Sequence, residues 1–151
     1  MPPAPIIEKD ILIKATPQQV WTLLTEPVHM LQWMGDPEMA LEIDTNWQVG
    51  EPFIIRGRHH IRFENKGILL VYEPFRRLQY SQLSSLSRLP DLPGNHTLFD
   101  FVLHSQEEGT LLTLRLSHFP TETIEKHLAF YWHTTLHKIR KAAESLTQAL
   151  M

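Results

Sequence analysis

The stretch from Thr121 to Leu150 constrains the fold more than any other part of this chain. Pro120 stops whatever precedes it, Thr121 can cap a helix, and Glu122 suits its first turn. At about 100° per residue, Ile124, Leu128, Trp132, Thr135, Ile139, Ala142, Leu146 and Leu150 fall on one stripe. A single long helix with one apolar face must lie against something flat. The aromatic run within it, Phe130, Tyr131 and Trp132, points in three directions. Trp132 lies on the stripe and is expected to pack, Tyr131 sits on its flank, and Phe130 faces away.

What precedes the helix supplies the flat partner. Ile6 to Lys14 reads as a strand. Thr16, Pro17 and Gln19 then form a helix-start signal with a capping box, followed by the apolar positions Val20, Trp21, Leu23 and Leu24. A second short helix after Pro27 ends at "GDPEM". The middle of the chain reads as strands: "MALEI", "PFIIRGRHHIRF", "KGILLVYE", "RRLQYSQLS", "HTLFDFVLHS" and "TLLTLRLSHF", the last two forming a hairpin around "QEEG". Between Ser84 and Asn95 lies a loop with two prolines, read either as a lid or as an ordinary mobile connection. Strands in a run, without helices alternating between them, predict an antiparallel sheet and an α+β domain over residues 1–151.

Alternation assigns the inner face. Phe53 and Ile55, Leu78 and Tyr80, the set Thr97, Phe99, Phe101 and Leu103, and the set Leu112, Leu114 and Leu116 should look at the helix. Asp100 and Arg115 should look out. His59 and His60, read within one strand, should point to opposite sides. His133 and His137 have a spacing that could hold a metal, but "HTTLH" lacks the acid of a zinc-protease motif and no third ligand is implied, so no metal site is expected. His133 and His137 are read as part of a solvated helix face, and one of His59 and His60 could enter the interior as a polar group. There is no cysteine, which excludes disulfides and thiolate chemistry, and there is no nucleophile elbow or glycine-rich phosphate loop. No cofactor is expected. A net charge of -3 with scattered basic residues argues against nucleic acid. No apolar run suggests a membrane span or a signal peptide, so a cytoplasmic protein is the expectation.

The stretches "ATPQQVWTLLTEPVHMLQWM", "KGILLVYEPFRRLQYS", "GTLLTLRLSHF" and "FYWHTTLHKIRKAAE" resemble, in this order, the START-like superfamily (SRPBCC, Bet v 1-like). Within it, the chain looks most like the group related to the C-terminal domain of the activator of the Hsp90 ATPase. It departs from the group's pattern at "QVGEPF", where a glycine pair is usual. The resemblance implies a helix-grip fold, a curved antiparallel sheet around the C-terminal helix, with a hydrophobic cavity between them. It implies a bound lipid, sterol or polyketide-like molecule, and the lack of a catalytic motif makes binding without catalysis the first expectation. The pocket would be lined by Trp33, Phe53, Tyr80, Phe99, Phe101, Leu114, Leu128 and Tyr131. Two rival readings follow from the same resemblance: a protein-interaction module for an Hsp90-type chaperone, and a cavity enzyme of cyclase or hydrolase type. Phe130 is read either as an ordinary exposed side chain or as the centre of a homodimer contact on the outer face of the helix.

Overall fold

The computed structural model describes residues 4–149. Seven antiparallel strands form one sheet in the order β1-β7-β6-β5-β4-β3-β2. They are β1 (Ile6–Ile13), β2 (Glu42–Thr45), β3 (Pro52–His59), β4 (Ile61–Glu73), β5 (Arg77–Ser84), β6 (Thr97–Gln106) and β7 (Gly109–Ser117). Two short helices, α1 (Pro17–Thr25) and α2 (Pro27–Met34), follow β1, and one long helix, α3 (Glu122–Ala149), ends the chain. This is the α+β architecture that the order of elements predicts, in the helix-grip form that the resemblance implies.

Local chemistry explains the boundaries. The Thr16 hydroxyl accepts the Gln19 amide N–H at 3.2 Å, and the Gln19 side chain accepts the Thr16 N–H at 2.9 Å, so α1 starts on a complete capping box. Thr121 caps α3 by accepting the Ile124 N–H at 3.1 Å. The hairpin between β6 and β7 turns on Glu107 and Glu108. Gly109 leaves it at φ 146°, and a Cβ there would stand 2.1 Å from the Ile13 carbonyl oxygen, so only glycine lets the turn lie under β1.

Three boundaries differ from the sequence reading. "PFIIRGRHHIRF" is not one strand: the chain reverses at His60, whose φ is 67°, and β4 begins at Ile61. His59 and His60 therefore do not point apart; their rings stand 4.8 Å from each other. No break separates the end of "PFIIRGRHHIRF" from "KGILLVYE": both lie in β4, which runs unbroken from Ile61 to Glu73. The strand expected at "MALEI" begins three residues later, at Glu42, because Pro37–Met39 form a single 3-10 turn ending on Ala40 in the left-handed region.

β4 also changes phase. Its register with β5 shifts between Leu69 and Val71, so Tyr72, and not Val71, pairs with the inward Leu78. The adjoining Gly67 and Ile68 lie close on β5. The Ser81 hydroxyl accepts the Ile68 N–H at 3.0 Å, and a Cβ on Gly67 would fall 1.7 Å from the Ser81 carbonyl oxygen. Such irregularities bend a strand and increase its twist, which is what a sheet needs to curl around a helix.

The buried stripe of α3 is Trp132, Thr135, Leu136, Ile139 and Ala143, with Leu128, Ala142 and Leu146 half-buried on its flank. It is thus rotated slightly from the sequence-derived stripe toward Leu136 and Ala143. Leu150, which that stripe included, lies outside the described residues. The far end of α3 is tied down by polar bonds: Glu144 accepts the Lys14 N–H at 2.9 Å, and the Thr147 hydroxyl donates to the Gln19 side chain at 2.7 Å. No described helix is long and apolar enough to cross a membrane.

Candidate functional site

The sequence-derived pocket residues do converge between sheet and helix. Trp33, Phe53, Tyr80, Phe99, Phe101 and Leu114 are buried, Leu128 is half-buried, and Tyr131 keeps 40% of its surface exposed. The strand ladder explains the convergence. Tyr80 stands opposite Phe99, Leu78 opposite Phe101, and Phe101 opposite Leu114, all on the inward phase. Phe53 belongs to β3, yet its ring stacks on Tyr80 of β5 at 4.4 Å. It can do so because its partner on the intervening β4 is Gly67, which has no side chain to separate them.

Trp132 is the hub. Its ring lies 5.8 Å from Phe99, 5.7 Å from Phe101, 5.8 Å from Trp33 and 5.9 Å from Tyr131. The Trp33 indole N–H donates to the Leu23 carbonyl at 2.7 Å, which fixes α2 against α1 and aims Trp33 at the hub. The packing role expected of Trp132 is thereby seen, and it is a role shared between helix, sheet and α2.

Two phenols give this apolar region its polar points. Tyr80 is buried on the sheet side, and burial pushes its hydroxyl well above the ordinary tyrosine range, with Tyr131 adding to the shift. Tyr131 comes from the helix side. Its hydroxyl donates to the Met34 carbonyl at 3.2 Å, and burial beneath the end of α2 also raises its pKa. Both groups stay neutral donors at physiological pH. Tyr80 offers one O–H in surroundings where an apolar molecule would otherwise find only rings and methyl groups, while the O–H of Tyr131 is engaged by Met34.

Sequence reasoning missed Trp47 and Tyr72. Tyr72 lies 5.3 Å from Trp21 and 5.7 Å from Trp47, which in turn lies 5.7 Å from Phe53. The aromatic path thus runs unbroken from α1 across the sheet to α2. Trp47 sits in a connection at φ 58°, where no periodicity can mark it. Tyr72 was hidden by the phase change in β4.

Other features sort differently. Two clefts found among the described residues open outside the sheet–helix interface. One, of about 330 Å³, lies on the outer sheet face, and its cations are engaged: Arg77 holds Asp100 through two bonds of 3.0 Å, and Arg115 holds Glu8. The other, of about 710 Å³, is lined by Glu38, Met39, Glu42, Arg56, Arg58, Arg62, Phe63 and Ser85, among others. The Ser84–Asn95 loop is pinned beside β4. Ser85 accepts the Glu64 N–H at 2.9 Å, Asp91 bonds His96 at 2.7 Å, and Asp91 pairs with Lys66 at 3.3 Å. No group of three or more His, Asp or Glu side chains among the described residues could hold a metal ion. The His133 and His137 rings stand 5.9 Å apart on the exposed side of α3.

Comparison with known proteins agrees with this architecture. The family model described as "Activator of Hsp90 ATPase homolog 1-like protein" matches residues 14–144. A solution structure from Cytophaga hutchinsonii is 26% identical, with a TM-score of 0.80, over 98% of this chain and 99% of that one. A crystal structure from Rhodobacter sphaeroides is 22% identical, with a TM-score of 0.75, over 99% and 98% of the two chains. The solution structure of the Aha1 dimer from Colwellia psychrerythraea is 19% identical, with a TM-score of 0.71, over 93% and 96%. No curated protein matches the chain.

Proposed function

This chain belongs to the family of activator of Hsp90 ATPase homolog 1-like proteins, and from that premise we propose that it binds an apolar or amphipathic small molecule between sheet and α3, without catalysis. The observation that carries the reading is the aromatic wall with a buried phenol in it. Phe53, Tyr80, Phe99 and Phe101 stack into one continuous apolar layer, buried in this structure against Trp132, and Tyr80 places one neutral donor within it. A ligand suited to that surface is flat or flexible, largely hydrocarbon, and carries one acceptor such as a carbonyl or hydroxyl oxygen. Tyr131, half outside and bonded to the end of α2, is the side chain that would swing to admit it.

The absence of catalysis is part of the proposal. The two phenols beside the hub, Tyr80 and Tyr131, both have a raised pKa, which makes them poor bases at neutral pH. Native mass spectrometry of the gently purified protein, with organic extraction of the same sample, is the direct test. A copurifying apolar species near one per chain supports the reading. If it is found, Phe101→Trp and Leu114→Trp should abolish binding while the protein stays folded, at a cost of about 1–3 kcal/mol from overpacking. Unchanged affinity in both variants would move the ligand elsewhere.

A second reading has one observation in its favour. Phe130 is 82% exposed on α3, the most exposed large apolar side chain described, and one similar structure is that of a dimer. Self-association through this face, or docking on an Hsp90-type chaperone, is the proposal that Phe130→Glu tests by sedimentation and by chaperone ATPase rate.

A further inference from the structure

The end of the β3–β4 hairpin is built unlike the rest of the molecule. Arg58, His59, His60, Ile61 and Arg62 follow one another with no acid among them. Arg58 and Arg62 stand directly opposite each other across the ladder. Like charges so placed destabilise a sheet, so the fold does not ask for this pair. Neither arginine belongs to an ion pair found among the described residues. The next cation along β3, Arg56, is by contrast fully engaged, by Glu64 at 2.9 Å and Asp44 at 3.0 Å. The hairpin is thus neutralised along its shaft and left basic at its tip. At the apex, the left-handed turn at His60 leaves Ile61 with 61% of its surface exposed. The connection after β5 runs past the same region. Ser85 is bonded to the Glu64 backbone and shares a cleft with Arg58 and Arg62, and the next residue, Leu86, is 48% exposed. The nearest acids of that cleft not already paired, Glu38 and Glu42, lie on other elements.

We propose that this tip docks on an anionic lipid surface, with Arg58 and Arg62 on the headgroup phosphates and Ile61 inserted between them. A narrow turn with one apolar side chain has too little area for a stable protein interface, which needs about 800 Å² per partner. The same turn fits a headgroup layer, where cations meet phosphate and a single side chain reaches the acyl boundary. The whole chain carries -3, so the attraction is local to the tip and sets the orientation of approach. The choice of a bilayer over an acidic protein rests in part on the reading above, since an apolar cargo must be collected from, or delivered to, an apolar phase.

The test is cosedimentation of the full chain with vesicles of phosphatidylcholine, with and without phosphatidylserine. Binding is expected only to the phosphatidylserine vesicles, and it should weaken as salt is added. Arg58→Gln/Arg62→Gln should lower the partition coefficient about 25-fold, from about fivefold per arginine. Ile61→Ser should lower it about fivefold. Thermal melts of the variants should show no loss against the parent, because these side chains are exposed, and the double variant should gain slightly from removal of the like-charge pair. No binding to phosphatidylserine vesicles, equal binding to neutral ones, or undiminished binding in both variants would overturn the proposal. The vesicle assay needs no bound ligand. A protein that sediments with vesicles but yields no extractable apolar species would break the cargo reading alone, and one that yields a ligand but ignores vesicles would break the docking alone.

Discussion

The two halves of the sheet are held by different physics. In the half made of β1, β7, β6 and β5, inward positions are closed over by α1, α2 and α3, and nearly every side chain there has a packing reason to be what it is. In the half made of β4, β3 and β2, only part of each strand reaches that core, through Phe53, Ile55 and Leu69, with Ile43 and Tyr72 half-buried against it. The far end of the β3–β4 hairpin projects with exposed cations and an exposed isoleucine. A residue of the first half reports on stability before it reports on function. A residue at the end of the second half contributes little to stability, so what it does contribute is read more directly.

The largest effect that separates the halves should come from the hub. Trp132→Ala removes the ring that touches Phe99, Phe101 and Trp33, and should cost about 3–5 kcal/mol in urea unfolding. A loss under about 1 kcal/mol would mean that the interior collapses freely around the gap, and that the close aromatic packing is not what holds α3 on the sheet. At the boundary between the halves, Gly67→Ala should cost about 1–3 kcal/mol, because its Cβ would meet the Ser81 backbone and not a flexible side chain. A neutral result there would show that β4 and β5 can part without penalty, and the division of the sheet into a packed and a projecting half would lose its hinge.

How much of this was legible follows the same division. The packed half could be read from period two and period 3.6 alone, because Tyr80, Phe99, Phe101 and Leu114 alternate without fault and Trp132 lies on its stripe. The rest failed where the backbone leaves its period. The register shift after Leu69 moved Tyr72 inward against simple alternation. The left-handed turn at His60 split what looked like one strand. Trp47 sits in a connection, where burial comes from tertiary contact that no local pattern encodes. The capping box of α1 was legible because it is a reciprocal pair of bonds three residues apart, a purely local fact.

A smaller effect concerns the loop that borders the projecting half. The Asp91 carboxyl is held below its usual range, first by the bond from His96 and then by Lys66. A lowered folded value means that the contribution is complete above the ordinary carboxylate pKa of about 3.9 and is lost as pH falls through the depressed value. Asp91 is half exposed, so the whole contribution should stay below about 1 kcal/mol. Hydrogen exchange at the Asn95 and His96 amides should quicken in Asp91→Ala at neutral pH, while the Phe99 and Phe101 amides keep their rate. Equal quickening in β6 would show that the loop and the packed half unfold together.

The smallest effect should have the opposite sign. Arg62→Glu replaces a like-charge pair with Arg58 by an opposite-charge pair at the same register position. Both side chains are exposed, so the gain belongs at the low end of the range for cross-strand pairs, about 0.3 kcal/mol. A gain of either this size or somewhat more says that the natural pair is kept at the expense of stability, as a surface used for binding would be. A loss would mean that Arg62 already has a favourable partner in the fold, Glu38 or Glu42 across the cleft being the candidates. The tip would then be an ordinary solvated hairpin end, and the contrast between the two halves of the sheet would reduce to one of burial alone.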